Sequence, residues 1–333
     1  MNKLFALLGL FLFVCTLASC GENGAEKSAP APEAEKPGGL IVVGFSQVGA
    51  ESTWRMANTK SMKDTFTEKK GYKLIIRDAQ QKQERQVAAI RDFIRQRVNF
   101  IVLAPVTEHG WDEVLQEAAS ASIPVIIMDR MIQIRDEALF VSWVGSDFRK
   151  EGDVAVAWMG KTFTGKKDLK IAHMQGTIGS SAQIGRSEGL REGVAGNAGW
   201  TIVLSASGEF TQVNGKEVME RFLSERRDID VLYCENDNMA FGAIQALHEA
   251  NVPYGAQGGV QIISFDATRA GLEQTLARNI SFNVECNPLH GPRVEKIIRQ
   301  LQSGQIPAKV EHVDERAFDA ATISKEEILS RAY

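Results

Sequence analysis

The stretch FIVLAPVTEHGWDEVLQEAASASIPVIIMDR, residues 100–130, decides the fold of this chain. Two short runs, FIVLAP (100–105) and PVIIMDR (124–130), are almost continuously apolar, which is typical of strands that are buried on both faces. Between them, apolar residues recur at helical spacing at Val114, Leu115, Ala118 and Ala119. A strand, a helix and a second strand in this order predict a parallel pair in an α/β fold.

The same alternation continues in both directions. Further apolar runs predict strands over 40–46, 73–79, 139–145, 169–176, 201–207, 231–236, 260–266 and 280–285. Helical patterns between them cover 81–98, 149–163, 181–196, 214–227, 237–251 and 268–278. A last helix over 292–304 precedes a tail that we expect to be irregular. The pattern starts again near residue 169, so we predict two α/β lobes of similar design.

The first 39 residues predict export and a lipid anchor. Lys3, an apolar run over 4–14 and the small residues before Cys20 have the layout of a signal peptide over 1–19. A cysteine directly after the small residues resembles the lipobox of bacterial lipoproteins, which implies lipidation of Cys20. The alternative is a short membrane anchor, but a bilayer needs roughly 20 apolar residues. Residues 20–39 have the composition of a disordered tether.

Composition and motifs disfavour several classes of function. A net charge of −4 gives no basic excess for nucleic acid. The five His are scattered and no C-x-x-C occurs, which disfavours a transition-metal site. No nucleophile elbow or G-x-G-x-x-G is present, and residues 160–167 only approach a P-loop because the terminal Ser/Thr is missing. We therefore expect no enzyme activity and no cofactor.

Polar residues gather where the predicted strands end. Because ligands of open α/β sheets bind beyond the carboxyl ends of the strands, these residues predict a cleft between two walls. The candidates are Trp54, Arg55, Asp129, Arg130, Arg186, Asn236 and Asp266. Planar charged or amide groups pair with neighbouring sugar hydroxyls, and aromatic rings stack on sugar C–H faces. The alternatives are that Trp54 packs in the core, that Asp129 and Arg130 form a surface ion pair, and that Arg186 is a solvated helix residue. We interpret His173 as a packed core residue.

Several motifs together resemble a known family. They are GFSQVGAESTWR (44–55), DAQQKQERQ (78–86), APVTEHGW (104–111), PVIIMDR (124–130), GTIGSSAQIGR (176–186), SGEFT…GKEVME (207–220), ENDNMAFGAIQA (235–246) and ECNPLHGP (285–292). In order and spacing they resemble the bacterial periplasmic galactofuranose-binding proteins, which belong to the ribose/galactose type that serves ABC importers. The resemblance implies a periplasmic binding protein of type I, in which two Rossmann-like lobes are joined by a three-strand hinge.

Carried over by position, the resemblance assigns lobes and contacts. It implies an N-terminal lobe over 40–145 plus 286–312 and a C-terminal lobe over 146–285 plus 313–333. It implies ligand contacts from Glu51, Trp54, Arg55, Asp129, Arg130, Arg186, Asn236, Asp266 and Glu285. The preference for a furanose sugar comes only from this resemblance.

We therefore expect a monomeric, lipid-anchored protein of the cell envelope that delivers a monosaccharide, galactofuranose or a related pentose or hexose, to an ABC permease. A sugar sensor that signals to a membrane receptor or kinase is the alternative. A third hypothesis is a hydrolase that uses Asp129, Asp266 or Glu285. A cytosolic repressor is disfavoured because no DNA-binding headpiece is recognisable before Leu40. Cys234 and Cys286 are predicted two strand spacings apart, about 10 Å, so we expect both thiols to be reduced.

Overall fold

The computed structural model describes residues 39–333. The predicted signal peptide, Cys20 and the tether up to residue 38 lie outside the described residues. The first half of the body contains β1 (Ile41–Gln47), α1 (Thr53–Thr65), β2 (Tyr72–Asp78), α2 (Gln83–Arg95), β3 (Phe100–Leu103), α3 (Asp112–Ser120), β4 (Val125–Met128) and β5 (Ser142–Gly145). Short 3₁₀ turns cover Glu68–Lys70 and Glu137–Leu139.

The second half repeats this plan. It contains α4 (Phe148–Thr162), β6 (Leu169–Gln175), α5 (Ser181–Ala195), β7 (Trp200–Ser207), α6 (Gln212–Glu225), β8 (Val231–Cys234), α7 (Asp237–Glu249), β9 (Gln261–Asp266), α8 (Arg269–Leu276) and β10 (Phe282–Glu285). The chain ends with α9 (Gly291–Gln302), β11 (Val310–His312), β12 (Ala317–Asp319) and α10 (Lys325–Ser330).

The strands form two separate six-stranded sheets. The first sheet has the order β11-β5-β4-β3-β1-β2 and all its neighbours are parallel. The second has the order β12-β10-β9-β8-β6-β7, and only the β10–β12 pair is antiparallel. Each sheet has a buried apolar cluster on each face, because its near-continuous apolar strands need cover from helices on both sides. The predicted two-lobe α/β architecture is confirmed.

Three crossings join the two sheets. The chain leaves the first sheet after Gly145, returns after Glu285, and leaves again after His312, because β11 pairs with β5 and β12 pairs with β10. These crossings form the three-strand hinge. We propose them as the lobe boundaries, and below the first lobe is the one that contains the first sheet.

The expectation of an irregular tail is wrong, since β11, β12 and α10 follow residue 304. Both strands are three residues long, too short to show a periodicity of their own. The helix α10 starts with a capping box between Ser324 and Glu327, a local signal that the sequence does contain.

Both remaining thiols are free and buried, as predicted. Cys234 ends β8 and Cys286 follows β10, with β9 between these two strands. Within residues 39–333, no helix is long and apolar enough to span a bilayer.

Candidate functional site

A small cavity lies between the lobes at the carboxyl ends of both sheets. The cavity is small and its lining is rich in polar side chains, so it suits a small polar ligand. Its lining consists of Glu51, Ser52, Trp54, Arg55, Asp129, Arg130, Phe148, Ala182, Arg186, Phe210, Asn236, Asp266 and Cys286. The structure therefore brings together every residue of the predicted set except Glu285.

Arg55 is the centre of the first lobe's wall. Ser52 caps α1 by accepting the backbone N–H of Arg55, which fixes the first turn of the helix beside the end of β1. The Arg55 guanidinium is 2% exposed, lies 2.7 Å from Oδ2 of Asp129, and donates through Nε to Glu51 at 3.0 Å. Burial lowers the pKa of Arg55, but the two carboxylates outweigh it and raise the pKa above its usual range. Arg55 therefore stays charged.

Asp129 and Arg130 come directly after β4. Burial favours the neutral acid at Asp129, but Arg55 and Arg130 outweigh it and hold the pKa below its usual range. Oδ2 of Asp129 is buried and has no hydrogen-bond partner, because its 2.7 Å contact with Arg55 lacks hydrogen-bond alignment. That oxygen is available to accept a hydrogen bond from a ligand. Arg130 donates to the carbonyl of Val106 at 2.9 Å, and burial together with Arg55 lowers its pKa to about 10.

Arg186 is the main cation of the second lobe's wall. It lies in the second turn of α5, 2% exposed, and donates through Nε to Glu151 at 2.6 Å and through another nitrogen to the carbonyl of Glu235. Its remaining nitrogen is 3.9 Å from Asp266 Oδ1. Two carboxyls and one carbonyl therefore fix the orientation of this guanidinium.

Asn236 and Asp266 end neighbouring strands of the second sheet. The Asn236 side chain caps α7 by accepting from Met239 N at 3.0 Å, and its amide donates to the carbonyl of Phe210 at 3.2 Å. Burial raises the pKa of Asp266 well above its usual range, with Arg186 opposing the shift. A neutral carboxyl both donates and accepts, which suits a hydroxyl partner.

The two strand-end aspartates share an unusual backbone conformation. The φ angle is 63° at Asp129 and 103° at Asp266, both in the region that disfavours residues with a Cβ. Such strain persists only when the surroundings impose it, and it concentrates at functional sites. Both lobes therefore present an aspartate to the cavity from a strained strand end.

Aromatic rings complete the walls. Trp54 donates its indole N–H to the carbonyl of Cys286 at 2.6 Å, which fixes the ring across the hinge. The guanidinium of Arg130 lies 5.2 Å from the ring of Phe210, and that of Arg186 lies 5.4 Å from the ring of Phe148. These contacts give the cavity flat apolar faces beside charged groups.

The cleft is closed. Thr53 of the first lobe donates through its backbone N–H and its hydroxyl to Oδ1 of Asn238 in the second lobe, at 3.1 and 2.9 Å. The backbone N–H of Met131 donates to Ser181 Oγ across the same cleft at 2.8 Å. These bonds and the Arg130–Phe210 contact shield the cavity from solvent.

Glu285 lies outside this cavity. It is the last residue of β10, and its carboxylate accepts from Arg331 and from the hydroxyl of Tyr333 at 2.7 Å, so it ties down the end of the chain. The residue one position later, Cys286, lines the cavity instead. His173 lies in the core, 2.8 Å from a carboxylate oxygen of Glu235.

Sequence reasoning missed Ser52, Phe148, Ala182, Phe210 and Cys286. Ser52 had a signal, since it precedes a helical pattern as an N-cap does. Phe148 and Phe210 had none, because neither directly follows an apolar strand.

Comparison with known proteins agrees with this architecture. Residues 43–290 match the family described as "Periplasmic binding protein domain". The chain belongs to this family. The galactofuranose-binding protein YtfQ of Escherichia coli (strain K12) is 38% identical over 276 residues, which cover 81% of this chain and 85% of the relative. The predicted resemblance to galactofuranose-binding proteins is thus confirmed.

Two solved structures are similar along most of the chain. One is a protein from Mycobacterium smegmatis in complex with β-D-fucofuranose, 38% identical, with a TM-score of 0.81 over 85% of this chain and 92% of that chain. The other is the arabinose transporter component of Shewanella sp. ANA-3, bound to α- and β-L-arabinofuranose. It is 37% identical, with a TM-score of 0.82 over 87% of this chain and 95% of that chain.

Proposed function

We propose that this protein captures a monosaccharide in its furanose form between the two lobes and delivers it to an ABC importer, without chemical change to the sugar. One observation carries the proposal. A single enclosed cavity receives planar polar groups from both lobes, Arg55 and Asp129 from the first and Arg186, Asn236 and Asp266 from the second, beside aromatic faces.

The chemistry of these groups suits a small polyol. Each sugar hydroxyl donates one hydrogen bond and accepts others, so it pairs with a carboxylate on one side and a guanidinium on the other. The Trp54, Phe148 and Phe210 rings supply faces for the sugar's C–H groups. The small cavity between the closed lobes favours one sugar ring over an oligosaccharide.

The furanose preference is supported by the relatives. YtfQ carries the name galactofuranose-binding protein, and the two solved relatives hold fucofuranose and arabinofuranose. A sugar that contacts both walls binds the closed state better than the open one, so binding shifts the hinge towards closure. We propose that an importer recognises this closed form and that lipidated Cys20 holds the protein at the envelope.

A thermal-shift and calorimetry screen tests the proposal. We expect D-galactose, D-fucose and L-arabinose, whose solutions contain furanose forms, to raise the Tm, because a ligand that binds only the folded state stabilises it. Methyl β-D-galactopyranoside is the control, since its locked ring cannot become a furanose. NMR of the recovered sugar should show no new product.

Two results would contradict this function. If no monosaccharide of the panel raises the Tm, the cavity is not a monosaccharide site. If the locked pyranoside binds as tightly as galactose, the furanose assignment is wrong. Hydrolysis of the methyl glycoside to galactose and methanol would instead support the hydrolase reading.

A further inference from the structure

The three crossings of the hinge meet at one carboxyl group. Glu315, in the third crossing, accepts on Oε1 from the hydroxyl of Ser146 in the first crossing at 2.6 Å. The same oxygen accepts from the backbone N–H of Asn287 in the second crossing at 2.6 Å. A single side chain thus connects all three segments that have to move when the lobes open.

A second carboxyl lies against this junction. Glu151 of α4 is 3% exposed, and its Oε2 accepts from Nε of Arg186 at 2.6 Å. Its Oε1 is buried without a hydrogen-bond partner. One oxygen of Glu151, one oxygen of Glu315 and Sγ of Cys286 lie within 4.8 Å of one another.

If Glu151 and Glu315 were both ionised at this distance, they would repel each other with no hydrogen-bond donor between them. Neither could donate to the other, and the donors Ser146 and Asn287 are already directed at Glu315. The cation Arg186 is bound to Glu151 and also faces Asp266. A single proton removes the conflict, because a neutral carboxyl donates to the free oxygen of its neighbour. Burial, followed by the charge of Glu151, raises the pKa of Glu315 to about 9.

We propose that the Glu315 carboxyl is protonated and donates a hydrogen bond to the Glu151 carboxylate. This hydrogen bond keeps Arg186 oriented towards the sugar cavity and holds the three crossings together. The inference rests on the proposed function, because Arg186 lines the cavity. Neither Glu151 nor Glu315 lines it, so both are positioning residues. Glu151 is the link, since its Oε2 accepts from Arg186 and one of its oxygens lies within 4.8 Å of an oxygen of Glu315.

Other ionisable groups surround the pair. Cys286, Arg186 and Asp266 lie on the side of the sugar cavity. Glu151 and Glu315 themselves line a second cavity, whose other charged or titratable lining residues are Asp147, Lys150, His312, Asp314 and Arg316. Burial raises the pKa of the Cys286 thiol well above its usual range, so it stays neutral. Arg130 also titrates at alkaline pH, because its pKa is lowered to about 10, so the experiment needs a comparison in which only Glu315 changes.

The sign of the pH effect follows from the raised pKa. In the unfolded chain Glu315 loses its proton near its ordinary value of 4.5, whereas the folded protein retains it up to about pH 9. The unfolded state therefore gains stability relative to the folded state as the pH rises between these values. Above about pH 9 the folded protein holds two facing charges, and we expect Arg186 to lose its orientation.

Glu315→Gln is the test variant. The Gln carbonyl keeps the acceptor for Ser146 and Asn287, and its amide is a permanent donor to Glu151. Without added sugar, we expect the Tm of the wild-type protein to fall more steeply than that of Glu315→Gln between about pH 6 and about pH 9. With D-galactose as the probe, the wild-type Kd should rise at least about fivefold between about pH 7.5 and about pH 9.5, and that of the variant less than about twofold.

Two further variants serve as references. Asp314→Asn, one position away, should follow the wild-type profile, while Glu315→Ala should bind more weakly at all pH values. At neutral pH, the infrared C=O band of protonated carboxyls should be stronger in the wild-type protein than in Glu315→Gln. The difference between the two spectra tests the proton of Glu315 directly, because Asp266 contributes to both spectra.

Identical pH profiles for wild type and Glu315→Gln, or protonated-carboxyl bands of equal intensity in the two proteins, would overturn the inference. Stoichiometric zinc that co-purifies with the protein and is lost in Cys286→Ser would also overturn it, because a metal would then replace the proton. The Tm profile and the infrared band need no sugar. If the Tm profile and the infrared band come out as expected but no sugar binds, the proposed function is contradicted and the hydrogen bond between Glu315 and Glu151 is still supported.

Discussion

Replacing Asp129 by Asn tests the first wall of the cavity with the smallest change in shape. Asp129 is 3% exposed, and the wall holds two cations, Arg55 and Arg130, against two anions, Glu51 and Asp129. Asn keeps the volume but removes one anion. The wall then carries a net positive charge, and Arg55 retains only Glu51 as an ionised partner.

The magnitude follows from the contacts that are lost. Oδ2 of Asp129 is buried in the ion pair with Arg55 at 2.7 Å, and the carboxylate has further lone pairs that can accept from a sugar hydroxyl. A hydrogen bond to a charged group contributes roughly 1.5–3 kcal/mol, which corresponds to a rise in Kd of about ten- to a hundredfold. Weakening the buried ion pair should also lower the free energy of unfolding by about 1–3 kcal/mol. A domain of ordinary stability remains folded after such a loss.

Calorimetry with D-galactose measures the affinity, and thermal unfolding without sugar measures the stability. Asp64→Asn is the matched control, since this aspartate forms an exposed pair with Lys60 on the same helix and should leave both values unchanged. Asp129→Asn with a Kd within about twofold of the wild type and an intact circular dichroism spectrum would refute the assignment of Asp129 to the site.

Three further outcomes are expected. Burial lowers the pKa of His290 to about 4, so the ring is neutral in the folded protein and the free energy of unfolding should fall by about 3 kcal/mol as the pH drops from about 6.5 to about 4. In denaturant titrations, His290→Gln should reduce this dependence on pH, whereas His248→Gln, at an exposed position, should not. Phe210→Ala should weaken sugar binding by about tenfold through the lost ring face, whereas Phe241→Ala should leave the Kd unchanged by calorimetry. Cys20→Ser should move the protein from the detergent to the aqueous phase on phase partitioning, and unchanged partitioning would contradict the lipid anchor.

The polar residues at strand ends could be predicted from the sequence because the fold itself collects them. Parallel strands of one sheet end at the same edge, which places Asp129 at the ligand-binding edge of the first sheet and Asp266 at that of the second. The two residues line one cavity because the two lobes meet at these edges. Arg186 is different, since a helix arginine has no such signal, and only the family resemblance pointed to it.

The errors have equally local causes. The family resemblance implied Glu285 as a ligand contact, but its carboxylate is bound to Arg331 and Tyr333, and Cys286, the next residue, lines the cavity instead. Phe210 escaped notice because it lies in a loop with φ of 61°, where no periodicity applies.

The hydrogen bonds of Thr53 to Asn238 and of Met131 to Ser181 have a kinetic consequence. With every charged side chain of the cavity buried, a bound molecule has no exit while these bonds hold. Its residence time is then set by how often the lobes part and not by how fast its own contacts break. A ligand with a weaker hold on the walls would leave at nearly the same rate as a strong one unless it also changed the frequency of opening. The rate of ligand release is thus controlled by hydrogen bonds between the lobes that do not contact the ligand.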